Sequence, residues 1–333
     1  MTDRKEKVLL DGCKRPVSYM RVSVTDRCNL RCRYCMTHQT RWLPRDQVLT
    51  LEEILRVVRI AVDAGITKVR LTGGEPLHRK GVLGLVERVS RLEGLQDLSL
   101  TTNGTLLAEK ARALRRAGLR RVNISLDTLD AEMFHRLTGA DLFERVWQGI
   151  MAAADEGFAP VKINTVVMRD FNAAQLERLA DLSRQYPFHI RFIEYMPIGI
   201  DPHESDDRFM PMTEVRQRLE RMGPLEPIAN GPSDGPAARF RFVGAPGEVG
   251  FIGAMSHHFC SRCNRIRLTA DGHLRPCLLS DEQVDVISTL RRGGTDADIR
   301  DLIVATLAHK GSEHHLRFCG NRMVRTRMVS IGG

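Results

Sequence analysis

The feature that most restricts the fold of this chain is an alternation of short β-rich runs with longer helical patterns through its first two-thirds. Strands that alternate with helices form parallel sheets, because each helix carries the chain back across the sheet. An α/β fold is therefore expected. The predicted strands are Tyr19–Val24, Lys68–Thr72, Asp97–Thr102, Arg121–Leu126, Val161–Val167 and Ile190–Tyr195. The predicted helices between them are Leu51–Ala64, Gly81–Leu92, Leu106–Ala117, Leu142–Glu156 and Ala173–Gln185.

Residues at the ends of these helices support the assignment. Thr50 followed by Glu53 has the spacing of a capping box, which begins a helix. Gly65 and Gly118 each follow a helical pattern, where glycine permits the left-handed conformation that ends a helix.

One face of strand after strand is polar. Side chains alternate between the two faces of a strand. The residues that share the polar face are Arg21, Ser23, Lys68, Arg70, Thr72, Ser99, Thr101, Asn103, Asn123, Ser125, Asp127, Lys162 and Asn164. A packed barrel interior would hold branched aliphatic residues instead, and parallel strands are normally covered on both faces. We therefore expect an incomplete (βα)6 TIM-like barrel with a polar, cationic lumen, the alternative being a face turned toward solvent.

The composition shifts near residue 198, and Asn230–Pro236 reads as a loop rich in Gly, Pro and Ser. We predict a partial barrel over residues 1–198 and a smaller C-terminal module over residues 199–333.

The net charge of +9 suits a nucleic-acid surface, a site for an anionic small molecule or a merely basic exterior. Aromatic residues are only 5% of the chain, and base stacking needs aromatic platforms, so nucleic acid is disfavoured. No apolar stretch has the roughly 18 residues of a membrane span. The charged N-terminus lacks the apolar middle of a secretory signal. A cytoplasmic protein without a membrane partner is expected.

Three of the eight cysteines form a tight group after the first strand: Cys28, Cys32 and Cys35. In a reducing cytosol, grouped cysteines are better candidates for metal ligands than for disulfides. A structural zinc usually takes four protein ligands, and only His38 stands near as a fourth. A four-iron cluster held by three cysteines keeps one iron open for an external ligand.

A second group consists of Cys260, Cys263 and Cys277. The spacing alone suits zinc and iron–sulfur equally, since a nearby histidine would complete a zinc tetrahedron. Arg265 and Arg267 lie between these cysteines, and the forked guanidinium group suits phosphate oxygens.

The first triad has the spacing C-x3-C-x2-C with the aromatic Tyr34 before its last cysteine, and Gly73-Gly74-Glu75-Pro76 follows the second strand. Together these motifs resemble the radical S-adenosylmethionine (SAM) superfamily. The resemblance implies a radical SAM partial barrel whose cluster cleaves SAM to a 5′-deoxyadenosyl radical.

Within that superfamily the chain resembles the GTP 3′,8-cyclase family nearly end to end, through RVSVTDRCNLRCRYC, LTGGEP, TTNG, SLD, FIEYMP, FCSRCNRIRLT and a terminal Gly-Gly. The resemblance implies two [4Fe–4S] clusters, one on each cysteine triad. It implies SAM contacts by Tyr34, Gly74, Ser125 and Met196. It implies GTP contacts by Arg21, Arg70, Thr101, Lys162, Arg265, Ile266 and Arg267, and catalytic roles for Arg265, Arg267, Gly332 and Gly333.

The implied reaction is the first step of molybdenum cofactor biosynthesis, conversion of GTP to (8S)-3′,8-cyclo-7,8-dihydroguanosine 5′-triphosphate. The implied partners are a downstream cyclic pyranopterin monophosphate synthase, a flavodoxin-type reductant and a second copy of the chain in a homodimer. Two alternatives remain at this point: a peptide-modifying radical SAM maturase, and a zinc module that binds nucleic acid.

Overall fold

The computed structural model describes residues 8–36, 40–198, 206–231, 234–314 and 328–332, together with residues 316, 324 and 326. No helix within this part of the chain is both long enough and apolar enough to cross a membrane.

The strands occur in the alternating order that the sequence predicts, with further strands in the C-terminal third. They are β1 (Leu9–Leu10), β2 (Pro16–Val17), β3 (Tyr19–Ser23), β4 (Lys68–Thr72), β5 (Asp97–Thr102), β6 (Arg121–Ser125), β7 (Lys162–Val167), β8 (His189–Glu194), β9 (Leu225–Ile228), β10 (Ala238–Phe242), β11 (Glu248–Ile252), β12 (Arg265–Leu268), β13 (His273–Arg275) and β14 (Val284–Asp285).

The α-helices connect and cover these strands. They are α1 (Leu51–Ala64), α2 (Val82–Ser90), α3 (Leu107–Arg116), α4 (Ala131–Thr138), α5 (Phe143–Asp155), α6 (Leu176–Gln185), α7 (Met212–Glu220), α8 (Ile287–Arg291), α9 (Asp296–Ala308) and α10 (Met328–Ile331).

Strands β3 to β8 lie side by side in sequence order and run parallel, as a chain of βα units requires. β12 adds parallel to β3 at one end and β11 adds parallel to β8 at the other. Antiparallel strands then extend both ends, giving the order β14-β13-β12-β3-β4-β5-β6-β7-β8-β11-β10-β9. Among the described residues no pairing joins β14 to β9, so the sheet is open there and the expected incomplete barrel is confirmed.

The predicted helix ends are also present. Thr50 and Glu53 form the capping box at the start of α1, with each side chain accepting from the other's backbone N–H. Gly65 and Gly118 have φ of 124° and 94°, in the region that glycine tolerates. Several predicted bounds differ from the observed ones by one or two residues. In addition, α4 was not expected, and the predicted helix Ala173–Gln185 begins as a 3-10 turn over Ala173–Gln175.

The two faces of the sheet divide the molecule. One face carries aliphatic side chains such as Met20, Leu71 and Ile124, which are fully buried in the main hydrophobic core with residues of the covering helices. The other face carries the polar side chains. A single sheet runs through both halves of the chain, and the division at residue 198 stays a prediction.

Candidate active site

A large cavity of about 1240 Å³ lies over the polar face of the sheet. Its wall includes Arg21, Arg70, Thr101, Ser125 and Lys162, all of which alternation places on this face. The polar face of the sheet therefore forms a wall of this cavity.

The first cysteine triad lies at the carboxyl ends of the parallel strands. Cys28, Cys32 and Cys35 follow the carboxyl end of β3, and all three line the cavity. A turn in which the backbone N–H of Cys35 donates to the carbonyl of Cys32 (2.9 Å) brings two of them to the same side. The backbone N–H of Leu30 donates to the sulfur of Cys28 (3.4 Å), as is common for cysteines that hold iron–sulfur clusters.

Burial changes the acidity of these thiols. It raises the pKa of Cys28 to about 11 and that of Cys35 to about 12. Without a metal these thiols therefore carry their protons at neutral pH, and metal binding releases them.

The Gly73-Gly74-Glu75 turn packs directly against this loop. A Cβ atom at Gly74 would lie 2.4 Å from the carbonyl oxygen of Arg27, so only glycine fits. Glu75 is fully buried and points away from the cavity, accepting hydrogen bonds from the backbone of Leu77 and Asn103 and the hydroxyl of Thr102. The turn thus fixes the loop of the first triad to the end of β5.

The four residues assigned to SAM lie around the same ends of the strands. Tyr34, Gly74, Ser125 and Met196 all line the cavity. The Tyr34 hydroxyl donates to Asp127 (2.9 Å), whose other carboxylate oxygen accepts from the backbone N–H of Val166. Arg191 and Met196 would lie on opposite faces of a continuous strand. Both nevertheless line the cavity, because β8 ends at Glu194 and Met196 lies beyond it.

The second triad lies at the other side of the sheet, at the amino ends of the parallel strands. Cys260 and Cys263 precede β12, which runs parallel to β3, so they lie at the amino ends of the strands. Cys277 follows the antiparallel β13 and returns to the same side. Cys263 lines the cavity, and the sulfur of Cys277 accepts from the backbone N–H of Leu279 (3.4 Å).

Neither triad is arranged as a compact chelate. Among the described residues, no three His, Cys, Asp or Glu side chains are grouped so as to hold one metal ion. A four-iron cluster is larger than a single ion and takes thiolates that are farther apart. Three thiols per site, with backbone N–H groups aimed at sulfur, fit such a cluster.

Cations crowd the wall between the two triads. Burial, reinforced by neighbouring cations, lowers the pKa of Lys162 to about 6, that of Arg191 to about 9 and that of Arg267 to about 10. Burial and the nearby Arg267 also hold the pKa of Arg21 well below its usual range. Concentrated positive charge of this kind attracts a polyanion.

Tyr19 lies in the middle of these cations. Its ring centroid is 5.0 Å from Lys68 Nζ, 5.5 Å from Arg70 Cζ and 5.7 Å from Arg265 Cζ. Burial alone would raise the pKa of Tyr19, but Arg70, Arg21 and Arg265 lower it below 10. Tyr19 was not among the predicted site residues, although it shares the parity of Arg21 and alternation alone points to it.

Three cavity-lining groups lack hydrogen-bond partners among the described residues. They are the hydroxyls of Tyr19 and Thr101 and the side-chain oxygen of Asn164. Buried polar groups nearly always have partners, so this wall is built to meet a polar ligand.

The C-terminal segment reaches the cavity. Met328 and Val329 line it, and the Arg267 guanidinium donates to the carbonyl of Gly332 (2.7 Å). Gly332 has φ of 70°, and a Cβ there would lie 2.2 Å from Thr72 Oγ1. Gly333 lies outside the described residues.

One predicted substrate contact points elsewhere. Ile266 is fully buried in the hydrophobic core, because its parity along β12 is opposite to that of Arg265 and Arg267. Arg265 and Arg267 both line the cavity.

Comparison with known families agrees with this geometry. A model of the radical SAM superfamily matches residues 22–183, and a model described as Molybdenum Cofactor Synthesis C matches residues 188–316. A GTP 3′,8-cyclase of Moorella thermoacetica is 47% identical over 324 residues, covering 97% of this chain and 99% of that protein. The chain belongs to the GTP 3′,8-cyclase family. A family member of Pelotomaculum thermopropionicum is 46% identical, again covering 97% of this chain and 99% of that protein.

Solved structures of low sequence identity share the fold of this chain. Streptococcus suis SuiB bound to S-adenosylmethionine has a TM-score of 0.59 at 15% identity, covering 85% of this chain and 68% of that one. Native anSMEcpe with bound AdoMet has a TM-score of 0.58 at 16% identity, covering 91% of this chain and 84% of that one. The radical SAM fold is therefore shared with proteins of distant sequence.

Proposed function

We propose that this protein is a radical SAM GTP 3′,8-cyclase that joins C3′ of the GTP ribose to C8 of its guanine, the first step of molybdenum cofactor biosynthesis. The observation that carries the proposal is the position of two cysteine triads at opposite ends of the strands of one sheet, with a cationic cavity wall between them. This arrangement suits a nucleotide held between a radical source and a second cluster.

In this proposal the first triad would hold a [4Fe–4S] cluster, which would supply the electron that cleaves bound SAM to methionine and a 5′-deoxyadenosyl radical. That radical would remove hydrogen from C3′, giving 5′-deoxyadenosine and a C3′ radical that bonds to C8. The radical left on the imidazole ring of guanine would then take one electron from the reductant and one proton to give the 7,8-dihydro product. Gly74 keeps the turn close to the cluster loop, while Tyr34, Ser125 and Met196 orient SAM. Tyr34 is itself held by the buried Asp127. These residues exclude water from the reacting groups and fix their direction.

The second triad would hold a [4Fe–4S] cluster whose open iron binds the guanine base. Arg21, Arg70, Lys162, Arg265 and Arg267 would bind the triphosphate. Crowded, buried cations bind a polyanion strongly because it relieves their mutual repulsion. Contacts at both ends of the nucleotide hold C3′ beside C8, and such positioning accelerates an intramolecular reaction.

Gly332 and Gly333 would complete the site by fixing Arg267. The hydrogen bond from Arg267 to the Gly332 carbonyl supports this role, and Thr101 supplies an unpartnered hydroxyl for the substrate.

The decisive experiment is anaerobic incubation of the reconstituted protein with GTP, SAM and dithionite. We expect 5′-deoxyadenosine and the 3′,8-cyclised nucleotide in equal amounts. Iron content should be about eight atoms per chain for two four-iron clusters. Formation of 5′-deoxyadenosine without a cyclised nucleotide, or zinc in both sites, would contradict the proposal.

Matched variants sharpen this test. Cys263→Ser should halve the iron content and abolish cyclisation while leaving SAM cleavage possible. Cys13→Ser is the control, because Cys13 is exposed and belongs to neither triad.

The same proposal includes the cytoplasm as location, a flavodoxin-type reductant, a homodimer and delivery of the product to a cyclic pyranopterin monophosphate synthase. Size-exclusion chromatography with light scattering tests the dimer. Replacement of dithionite by reduced flavodoxin tests the reductant.

A further inference from the structure

Lys310 brings a buried positive charge to the second cysteine triad. Only 5% of the residue is exposed. Its ammonium nitrogen lies 3.4 Å from the sulfur of Cys263 and also donates to the carbonyl oxygen of Arg265. Lys310 lies two residues beyond the end of α9, and its backbone N–H donates to the carbonyl of Leu307.

The segment that carries Lys310 is held in place by Arg15. The Arg15 guanidinium donates to the carbonyl oxygens of Gly311 (2.6 Å), Ser312 (2.9 Å) and Cys260 (2.6 Å). Arg15 is itself paired with the buried Asp11 (2.7 Å). One arginine thus ties the segment to the second triad, so the Lys310 ammonium is fixed against Cys263.

Within the described part of the chain, the sulfurs of the first triad accept hydrogen bonds from neutral donors only. The side-chain donor is the neutral amide of Asn103, 3.7 Å from the sulfur of Cys28. The carboxyl groups of Glu75 and Asp127 lie near Cys28 and Cys32, and burial raises their pKa values to about 7 and about 6. Among the described hydrogen bonds, a lysine ammonium reaches a triad sulfur only at Cys263.

We propose that Lys310 is a positioning residue that holds a positive charge on the Cys263 ligand and raises the reduction potential of the second cluster above that of the first. The inference rests on the proposed second cluster. Reduction adds negative charge to a cluster, and a cation hydrogen-bonded to a ligand sulfur stabilises the reduced form. The radical-forming cluster remains the stronger reductant, and the second cluster serves as a binding site.

Redox titration followed by EPR tests this inference on the full chain carrying both clusters. Lys310→Gln removes the charge but keeps a hydrogen-bond donor, and Lys310→Arg keeps the charge. In Lys310→Gln we expect the reduced-to-oxidised ratio of the second cluster at fixed potential to fall about tenfold, a shift of about 59 mV for one electron. The first cluster should be unchanged, as should both clusters in Lys310→Arg and in the control Lys80→Met, whose lysine is exposed.

The outcomes separate the two proposals. Suppose that both clusters are present and that neither reduction potential differs between Lys310→Gln and the wild-type protein. That result would overturn the role of Lys310 and leave the proposed function standing. If the wild-type protein contains iron for only one cluster, the proposal of a second cluster would itself be overturned. Equal shifts in Lys310→Gln and Lys310→Arg would also overturn the inference, because they would show that side-chain shape, and not charge, sets the potential.

Discussion

The guanidinium of Arg267 donates a 2.7 Å hydrogen bond to the carbonyl oxygen of Gly332. Arg267 is on a strand next to β3, and Gly332 is 65 residues further along the chain. The C-terminal tail therefore forms part of the cavity wall and fixes the direction of an arginine that lines the cavity.

Deletion of Gly332 and Gly333 should abolish cyclisation but leave the iron content and the reduced-cluster EPR signals unchanged. The deletion frees Arg267, and a misplaced contact in such a site costs about a hundredfold in rate. Gly332→Ala should act in the same direction, because its Cβ would collide with Thr72. Gly84→Ala is the matched control, since a Cβ at Gly84 meets nothing within 4 Å. Full turnover by the truncated protein would contradict a role for the tail.

Tyr19→Leu should weaken GTP binding by about 10- to 100-fold, because the aromatic face near Lys68, Arg70 and Arg265 is lost. Tyr19→Phe keeps that face and loses only the hydroxyl, so its affinity should fall less, by about tenfold at most. Isothermal titration with GTP and with guanosine makes the comparison. Guanosine lacks phosphates, so its affinity should barely change in either variant. An equal loss for both ligands in Tyr19→Leu would show general damage to the cavity.

GTP binding should take up a proton at Lys162. Burial and the neighbouring Arg191 and Arg121 lower its pKa to about 6, so the empty site holds a neutral amine at pH 8. A bound triphosphate favours the charged form and raises this pKa. GTP affinity should therefore fall as the pH rises from 6 to 8. Calorimetry in buffers of different ionisation enthalpy counts the protons.

Lys162→Met controls for the titration of GTP itself. On GTP binding at pH 8, the Lys162→Met variant should take up fewer protons than the wild-type protein, by up to one proton per GTP. The same pKa makes a stability prediction: between pH 6 and 10.5 the unfolded chain binds this proton and the folded chain does not. Lys162 therefore destabilises the empty protein increasingly as the pH falls toward 6. Identical proton uptake in the variant would show that Lys162 is already charged.

Glu194→Gln should selectively reduce occupancy of the proposed second cluster. The Glu194 carboxylate is fully buried and accepts from the backbone N–H groups of Met212 (3.0 Å), Met255 (2.8 Å) and Ser256 (2.9 Å). It thereby anchors the segment before Cys260 to the end of β8. In Glu194→Gln the side-chain NH2 group would face backbone N–H groups that are also donors. Each buried group left without a partner costs about 1–3 kcal/mol.

Iron analysis and EPR should show the first cluster intact and the second depleted in Glu194→Gln. Glu226→Gln is the control, since Glu226 is exposed on β9. Equal depletion of both clusters would assign Glu194 a role in the stability of the whole chain instead.

Much of the barrel could be predicted from local signals. The bounds of β4, β5 and α1 match the prediction, because strand alternation and helix caps depend on neighbouring residues. Side-chain parity also predicted that Arg21, Arg70, Thr101, Ser125 and Lys162 share the cavity wall. Three other residues of the same face, Ser23, Ser99 and Asn123, do not line the cavity. Spacing placed the cysteines in two triads, since ligands of one site are often close in sequence.

Other features were decided by the tertiary structure alone. Lys310 is 47 residues from Cys263, and Glu194 is 61 residues from Met255, so no local pattern links them. The parallel pairing of β12 with β3 puts the second triad at the opposite ends of the strands from the first. The sequence determined the periodicities and ligand types, which are local. Their arrangement around one cavity depends on long-range strand pairing, which fixes the distances between residues that are remote in the chain.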